Sequence, residues 1–345
     1  MSLAEAARRR LASATLAGVG HAASELDWVA EVASATRARR VERIQSLWSG
    51  YGEIFRVALT GAEIETAIVK SVKPPANARG SGEGASHARK CRSYDVEKRW
   101  YGSFAARCDD TCRVPRSFGA RAGKGEWLFL LEDLDAAGFP DRRRDPDGGE
   151  LDACLAWLAA FHARFLGVAS DGLWKTGTYW HLATRPDELA ATEDDALRDA
   201  APVLDRKLRE CTHQTLVHGD AKPANFCFGR DRGGDARVAA VDFQYVGGGC
   251  GMKDVAYLLS GGSGSSAEAL EARHLDRYFV HLRGALSKRG EHAHPVDAEA
   301  IEAEWRALYP IARADYHRFL AGWAKDYWRR DTHAQRLVRE VLRSL

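Results

Sequence analysis

The stretch Leu216-Val-His-Gly-Asp-Ala-Lys-Pro-Ala-Asn-Phe226 constrains this chain more than any other. Apolar residues lead into a polar loop and an apolar segment leaves it, the pattern of a strand, a loop and a second strand. A second short apolar run, Val238-Ala-Ala-Val-Asp-Phe-Gln244, ends in a carboxylate. Asp220 and Asn225 share one loop, and Asp242 closes the next strand, so two carboxylates and an amide belong to adjoining strand ends. An isolated His-Gly-Asp arises by chance, and aspartates in turns after strands are common. The spacing to Asn225 and the Val-Asp-Phe downstream give the set its specificity.

Such a set suits phosphoryl transfer, which needs a carboxylate near the attacking hydroxyl and oxygen ligands for the Mg2+ that neutralises the phosphates. Asp220 is the expected base, and Asn225 and Asp242 are the expected metal ligands. His218 is expected to brace the loop by hydrogen bonding. Upstream, Ala67-Ile-Val-Lys70 is a strand ending in a lysine, the element that contacts the phosphates of ATP in kinases. Glu97, in the helix that follows, is its natural ion-pair partner, ahead of Glu65 on the same strand and Glu83 in a loop. Alone, Lys70 reads equally as an exposed strand-end lysine and Glu97 as a surface helix residue; their order before His218-Gly-Asp220 favours the functional reading. Gly50 and Gly52 fall in a turn where a loop approaching phosphates must avoid side-chain collision, although an ordinary hairpin explains them too. The backbone of Glu132-Asp133-Leu134 is the candidate for adenine recognition.

These elements sit in an ordered frame. Residues 1–40 read as a helical extension, with Arg37, Arg39 and Arg40 closing the helix where positive charge suits its dipole. Strands are expected over 41–47, 53–59, 66–72, 116–121 and 127–132, with a helix over 87–104 inserted after a Gly- and Ser-rich connection expected to be mobile. That is a small lobe over 41–134. Beyond a solvated crossing at 136–149 the chain becomes helical, beginning with the apolar stripe of Leu151, Leu155, Leu158, Phe161 and Phe165, and forms a larger lobe over 135–345.

A chain of 345 residues accommodates two such lobes with a cleft between them. Its 50 Lys and Arg against 48 Asp and Glu give no reason to expect a nucleic acid or an acidic membrane as partner. No apolar run is long enough to span a bilayer. Arg8-Arg9-Arg10 and the mild stretch after it only superficially resemble a targeting peptide, and the seven scattered cysteines read as reduced thiols, so a cytoplasmic protein is expected.

Together, AIVK, the helix with Glu97, LEDL, HGDAKPAN, VDFQ and Asp254 in GMKDVAYLL resemble the aminoglycoside phosphotransferase and choline kinase-like superfamily, closest to its ecdysteroid-kinase-like branch. The resemblance covers about residues 41 to 330 and is most specific from 216 to 259. It implies an α+β, protein-kinase-like bilobal fold: a five-stranded antiparallel N-lobe with one helix and a larger, mainly helical C-lobe. It also implies ATP and Mg2+ as cofactors, Lys70 as the phosphate contact, Glu97 as its partner, and Asp254 as a structural carboxylate behind the loop. Lys222 in Asp-x-Lys-Pro-x-Asn is similar to the serine/threonine protein kinase loop and is placed to meet the transferred phosphate. Gly219 in place of the Arg of HRD, Asp-Phe-Gln in place of DFG, and eleven residues between Asp242 and Asp254 favour a small-molecule hydroxyl acceptor over a protein. A nucleotide-binding module without catalysis is the third reading, and it is disfavoured because every expected catalytic position is filled.

For the acceptor, Trp174, Tyr179, Trp180, His181 and Arg185 crowd one loop, where aromatics either face a ligand or plug the lobe surface. Trp305, Tyr309, Tyr316, Trp323 and Tyr327 fall near one helical stripe, which fits core packing better than an aromatic wall for a quaternary ammonium. An amino alcohol, a sugar-like antibiotic or a hydrophobic alcohol such as a steroid all remain open. Aminoglycosides call for an acidic cleft, which the arginine-rich C-terminal helices disfavour.

Overall fold

A computed structural model describes residues 24–75, 84–261, 267–288 and 296–345. The arginine run at 8–10 and most of the Gly- and Ser-rich connection lie outside the described residues. The first helix, α1 (Glu25–Val32), opens on a capping box in which the Ser24 hydroxyl accepts from the Asp27 N–H and the Asp27 carboxylate accepts from the Ser24 N–H. It ends at Ser34, which adopts a positive φ of 53°.

Arg37, Arg39 and Arg40 do not close that helix. They begin strand β1 (Arg37–Ser46), whose side chains are almost all exposed. As an edge strand it carries charge on its open side and gives no alternating apolar pattern to read. Arg40 reaches across to Glu53 of β2 (Gly52–Thr60) at 2.7 and 2.6 Å. With β3 (Thr66–Val72), β4 (Ser117–Gly123) and β5 (Glu126–Glu132) these strands form one antiparallel sheet in the order β1-β2-β3-β5-β4. Gly52 has φ +139°, and a Cβ there would stand 2.0 Å from the Ser71 carbonyl oxygen, so strand contact already requires this glycine. Helix α2 (Gly84–Ser103) starts earlier than its sequence pattern suggests and buries Tyr94, Glu97, Trp100 and Tyr101 on one face. Trp100 stacks on Phe243 at 4.4 Å, which ties the small lobe's helix to the segment that follows Asp242.

The large lobe contains α3 (Gly148–Phe165), capped by Asp147 and Glu150, then α4 (Pro186–Ala190) and α5 (Asp195–Arg209). Two short sheets follow: β7 (Thr215–Val217) pairs with β10 (Gly247–Gly249), and β6 (Asp141–Arg142), β8 (Phe226–Arg230) and β9 (Ala236–Ala240) form a three-stranded sheet. Helices α6 (Met252–Leu258), α7 (Ala267–Ser287), α8 (Ala298–Trp323), α9 (Lys325–Arg330) and α10 (Thr332–Arg343) complete it. One continuous apolar core runs from Trp100 and Phe129 in the small lobe to Trp157, Phe226 and Trp305 in the large one. The aromatic stripe on α8 divides along its length: Trp305, Tyr309 and Tyr316 are buried, whereas Trp323 is 59% exposed. Among the described residues no helix is long and apolar enough to cross a membrane.

Candidate active site

The pairing of β8 with β9 determines where the chemistry sits. Phe226 lies opposite Ala240, and the Val241 N–H donates to the Asn225 carbonyl at 2.9 Å, so Asn225 and Asp242 emerge from neighbouring chain ends. Asp242 has a φ of +68°, a left-handed conformation that Asp tolerates better than most residues. The Asn225 amide nitrogen donates to the Asp220 carbonyl and to Asp220 Oδ2, both at 2.8 Å, leaving the amide oxygen for another partner. Lys222 Nζ donates to the same Oδ2 at 2.9 Å. Asp220 Oδ1 is buried and has no partner.

Two layers behind the loop hold it in place. His218, fully buried, has Nε2 at 3.0 Å from the Val241 carbonyl and Nδ1 at 3.2 Å from the Asp220 N–H, which makes Nε2 the protonated nitrogen and Nδ1 the acceptor. Asp254 accepts from the His218 N–H at 2.6 Å and the Gly219 N–H at 2.9 Å. His162 Nε2 lies 3.2 Å from the same carboxylate, and its Nδ1 lies 2.7 Å from the Tyr278 hydroxyl. His162 and Tyr278 carry no local sequence signal, since each occupies an ordinary position on a buried helix face. Gly219 has φ +82°, and a Cβ there would lie 2.1 Å from the Tyr245 carbonyl oxygen and 2.8 Å from the Thr178 nitrogen. The arginine of an HRD loop therefore has no room at this position. Gly219→Ala is expected to lower stability by about 2–4 kcal/mol, read from a denaturant melt; an unchanged midpoint would contradict the crossing geometry.

From the small lobe, Lys70 Nζ donates to Glu97 at 2.9 and 2.7 Å and lies 3.4 Å from Asp242 Oδ1. Burial disfavours the Lys70 ammonium, but Glu97 and Asp242 outweigh it and hold the lysine above its ordinary pKa. The two aspartates diverge. Burial dominates at Asp220 and raises its pKa in spite of Lys222; at Asp242 the opposing pull of Lys70, Lys222 and His218 exceeds burial and lowers it. Two carboxyl groups pushed apart in this way suit two different tasks.

A cleft of 690 Å³ is lined by Leu47, Ile54, Lys70, Glu97, Asn225 and Asp242, among others, and by the 131–135 segment between the lobes; Asp220 and Lys222 are not among its lining residues. Arg56 ties that segment to the sheet, bonding Asp133 at 2.7 Å as well as Glu42 and Asp135. This arginine was not distinguishable in the sequence from other strand charges. Glu132 turns its carboxylate to Arg113 at 2.6 Å, and Leu134 is buried with its carbonyl accepting from Phe139 at 2.8 Å. Gly50 and Gly52 are not among the residues lining the cleft. Trp180 is fully buried against Tyr257 and Tyr316, so it packs the lobe and faces no ligand. Trp174 donates to the Gln244 carbonyl at 2.8 Å and stacks on Tyr245; Tyr179 is half-buried with Arg185 over its ring. Trp323, at the far end of α8, does not line the cleft.

Several solved structures resemble this chain. A choline kinase from Cryptosporidium parvum superposes with a TM-score of 0.52 at 10% identity, covering 89% of this chain and 90% of that one. A Thermobifida fusca protein assigned as a fructosamine-3-kinase gives 0.49 at 18% identity over 91% and 98% of the two chains. An amicoumacin kinase in complex with AMP-PNP, Ca2+ and its antibiotic gives 0.48 at 14% over 87% and 86%. No curated protein matches the sequence significantly. The family model described as the phosphotransferase enzyme family matches residues 52–292, from β2 through the loop, Asp242 and Asp254. On that match over most of its length, the chain belongs to the phosphotransferase enzyme family.

Proposed function

We propose that this phosphotransferase moves the γ-phosphoryl group of ATP to a hydroxyl of a small molecule. The observation that carries the reading is the buried ion-pair network in which Lys70 and Glu97 of the small lobe meet Asp242 of the large lobe, beside the loop that presents Asp220. Asp220 acts as base: its unpartnered Oδ1 is free to accept the proton of the acceptor hydroxyl. Lys70 contacts the phosphates, Glu97 keeps it extended, and Lys222 meets the group in transfer. The cleft wall at 131–134 receives the adenine.

The donor set fits a magnesium ion. Asn225 has its amide nitrogen committed and its oxygen free, and Asp242 is held ionised by its cationic neighbours. A magnesium ion takes few protein ligands and completes its shell with phosphates and water, so one amide oxygen and one carboxylate are a sufficient protein set. When bound, such an ion neutralises phosphate charge.

A small acceptor is supported by the interval after Asp242. Only residues 243–251, with β10 inside them, precede the helix bearing Asp254, too little chain to build a platform for a peptide. The test is a nucleotide-consumption assay over alcohols, amino alcohols, sugars and a casein-like protein. Mg2+-dependent ADP release with a small hydroxyl compound is the expected result; turnover on the protein alone would overturn the assignment of acceptor.

A further inference from the structure

The side of Asp220 away from the Lys70 network is aromatic and cationic. The Tyr179 N–H donates to the Gly219 carbonyl at 3.0 Å and the Thr178 N–H to the Tyr245 carbonyl at 3.1 Å, which brings both tyrosines alongside the loop. Their rings lie 6.0 Å apart, with Tyr257 5.6 Å from Tyr179. Arg89 of α2 donates to the Thr184 carbonyl at 2.9 Å, next to Arg185. Arg185 lies over the rings of Tyr179 and Phe319 at 5.6 and 5.3 Å, and its Nε donates to the Tyr179 carbonyl at 2.5 Å. Burial pushes the Tyr245 phenol above its ordinary pKa, with Arg185 and Arg89 opposing the rise and Asp220 adding to it. The carboxylate of Glu188 pairs with one nitrogen of Arg185 at 2.9 Å; Arg89 also donates to the Ser86 hydroxyl at 3.2 Å and has no carboxylate partner among the described residues. Its Nε is buried and unbonded. Beyond Arg185, Phe319 stacks on the exposed Trp323 at 5.6 Å, extending a flat apolar wall outward.

We infer that the acceptor is a hydroxyl compound with a flat apolar body and an anionic group, which Arg89 and Arg185 hold beside Asp220. A quaternary ammonium or polyamine would meet Arg89, Arg185 and Lys222 together, a like-charge encounter that works against binding. Guanidinium forks instead match a carboxylate or phosphate, and the Tyr179 and Phe319 rings hold that of Arg185 in place. The inference rests on the phosphotransferase reading above and adds the acceptor's charge.

The test measures ATP turnover by the full chain with four matched primary alcohols: para-hydroxymethylbenzoate, para-hydroxymethylbenzyl phosphate, para-hydroxymethylbenzylamine and para-hydroxymethylbenzamide. One of the two anionic compounds is expected to give the highest kcat/KM, and which one identifies the anion. Arg89→Gln, on α2, and Arg185→Gln, on the loop, are each expected to lower kcat/KM for that compound about 10- to 100-fold, through KM, while the neutral amide changes less than about threefold. Using both variants guards against one disturbing its own loop. Equal or better turnover of the amine or the amide, or acceleration by none of the four, overturns the inference while leaving nucleotide binding to report on the enzyme. Failure to bind nucleotide in a separate titration would sink the phosphotransferase reading itself.

Discussion

Replacing Asp220 with alanine is expected to lower turnover by about 100- to 10,000-fold, the range for a positioned general base, with ATP affinity nearly retained. Lys70, Glu97 and Asp242 bond one another and not Asp220, so this network does not depend on the aspartate side chain, whose Oδ2 accepts instead from Asn225 and Lys222. Asp220→Asn separates chemistry from folding. Burial raises the Asp220 pKa, which means the fold penalises the ionised form at neutral pH. The neutral amide should therefore be at least as stable as the parent while losing comparable activity. The same shift fixes a pH dependence. The base must be ionised, so kcat/KM falls as pH drops through the raised pKa, and the acid limb lies above the ordinary aspartate value of about 4. Near-normal turnover in either variant would remove Asp220 from the mechanism.

What the sequence made legible follows from where function demands short, local patterns. The loop from His218 to Asn225, the Ala67–Lys70 run inside β3 and the carboxylate after Val241 are each contiguous, and each belongs to or adjoins a strand of ordinary apolar character. Strands β2 to β5 of the small sheet could be read from the turn chemistry between them for the same reason. What escaped was non-local or disguised by charge. β1 takes Arg37 to Arg40 because an edge strand has no buried face to announce it. His162 and Tyr278 brace Asp254 from helices 92 and 24 residues away in sequence, respectively upstream and downstream. The loop aromatics of 174–181 could not be sorted from composition. Trp180 is in the core and Tyr179 beside the site because a Tyr179 N–H bond to Gly219 fixes the chain's direction there. At Gly52 the close approach of the Ser71 carbonyl already requires a glycine, the ordinary-hairpin alternative for this turn.

Asp242→Asn is the second large effect. Asparagine tolerates the left-handed backbone at this position, whereas alanine would add strain to the loss of charge, so the amide isolates the electrostatic contribution. In the parent, Asp242 is held ionised by Lys70 and Lys222 and supplies the second negative neighbour of Lys70 at 3.4 Å. Removing that charge leaves Asn225 as the sole proposed oxygen ligand beside a neutral amide, a poor site for a hard divalent cation. Turnover is expected to fall about 100- to 1,000-fold, as for loss of one preorganised electrostatic group, and the Mg2+ concentration needed for half-maximal rate should rise. Lys70 retains Glu97 at 2.7 Å, so the small lobe stays intact and the melting temperature should move little. The two variants thus separate two roles. Asp220→Asn should keep the parent's Mg2+ dependence of nucleotide binding, and Asp242→Asn should lose it. Parental Mg2+ dependence in Asp242→Asn would place the metal elsewhere and return Asp242 to a purely structural partnership with Lys70.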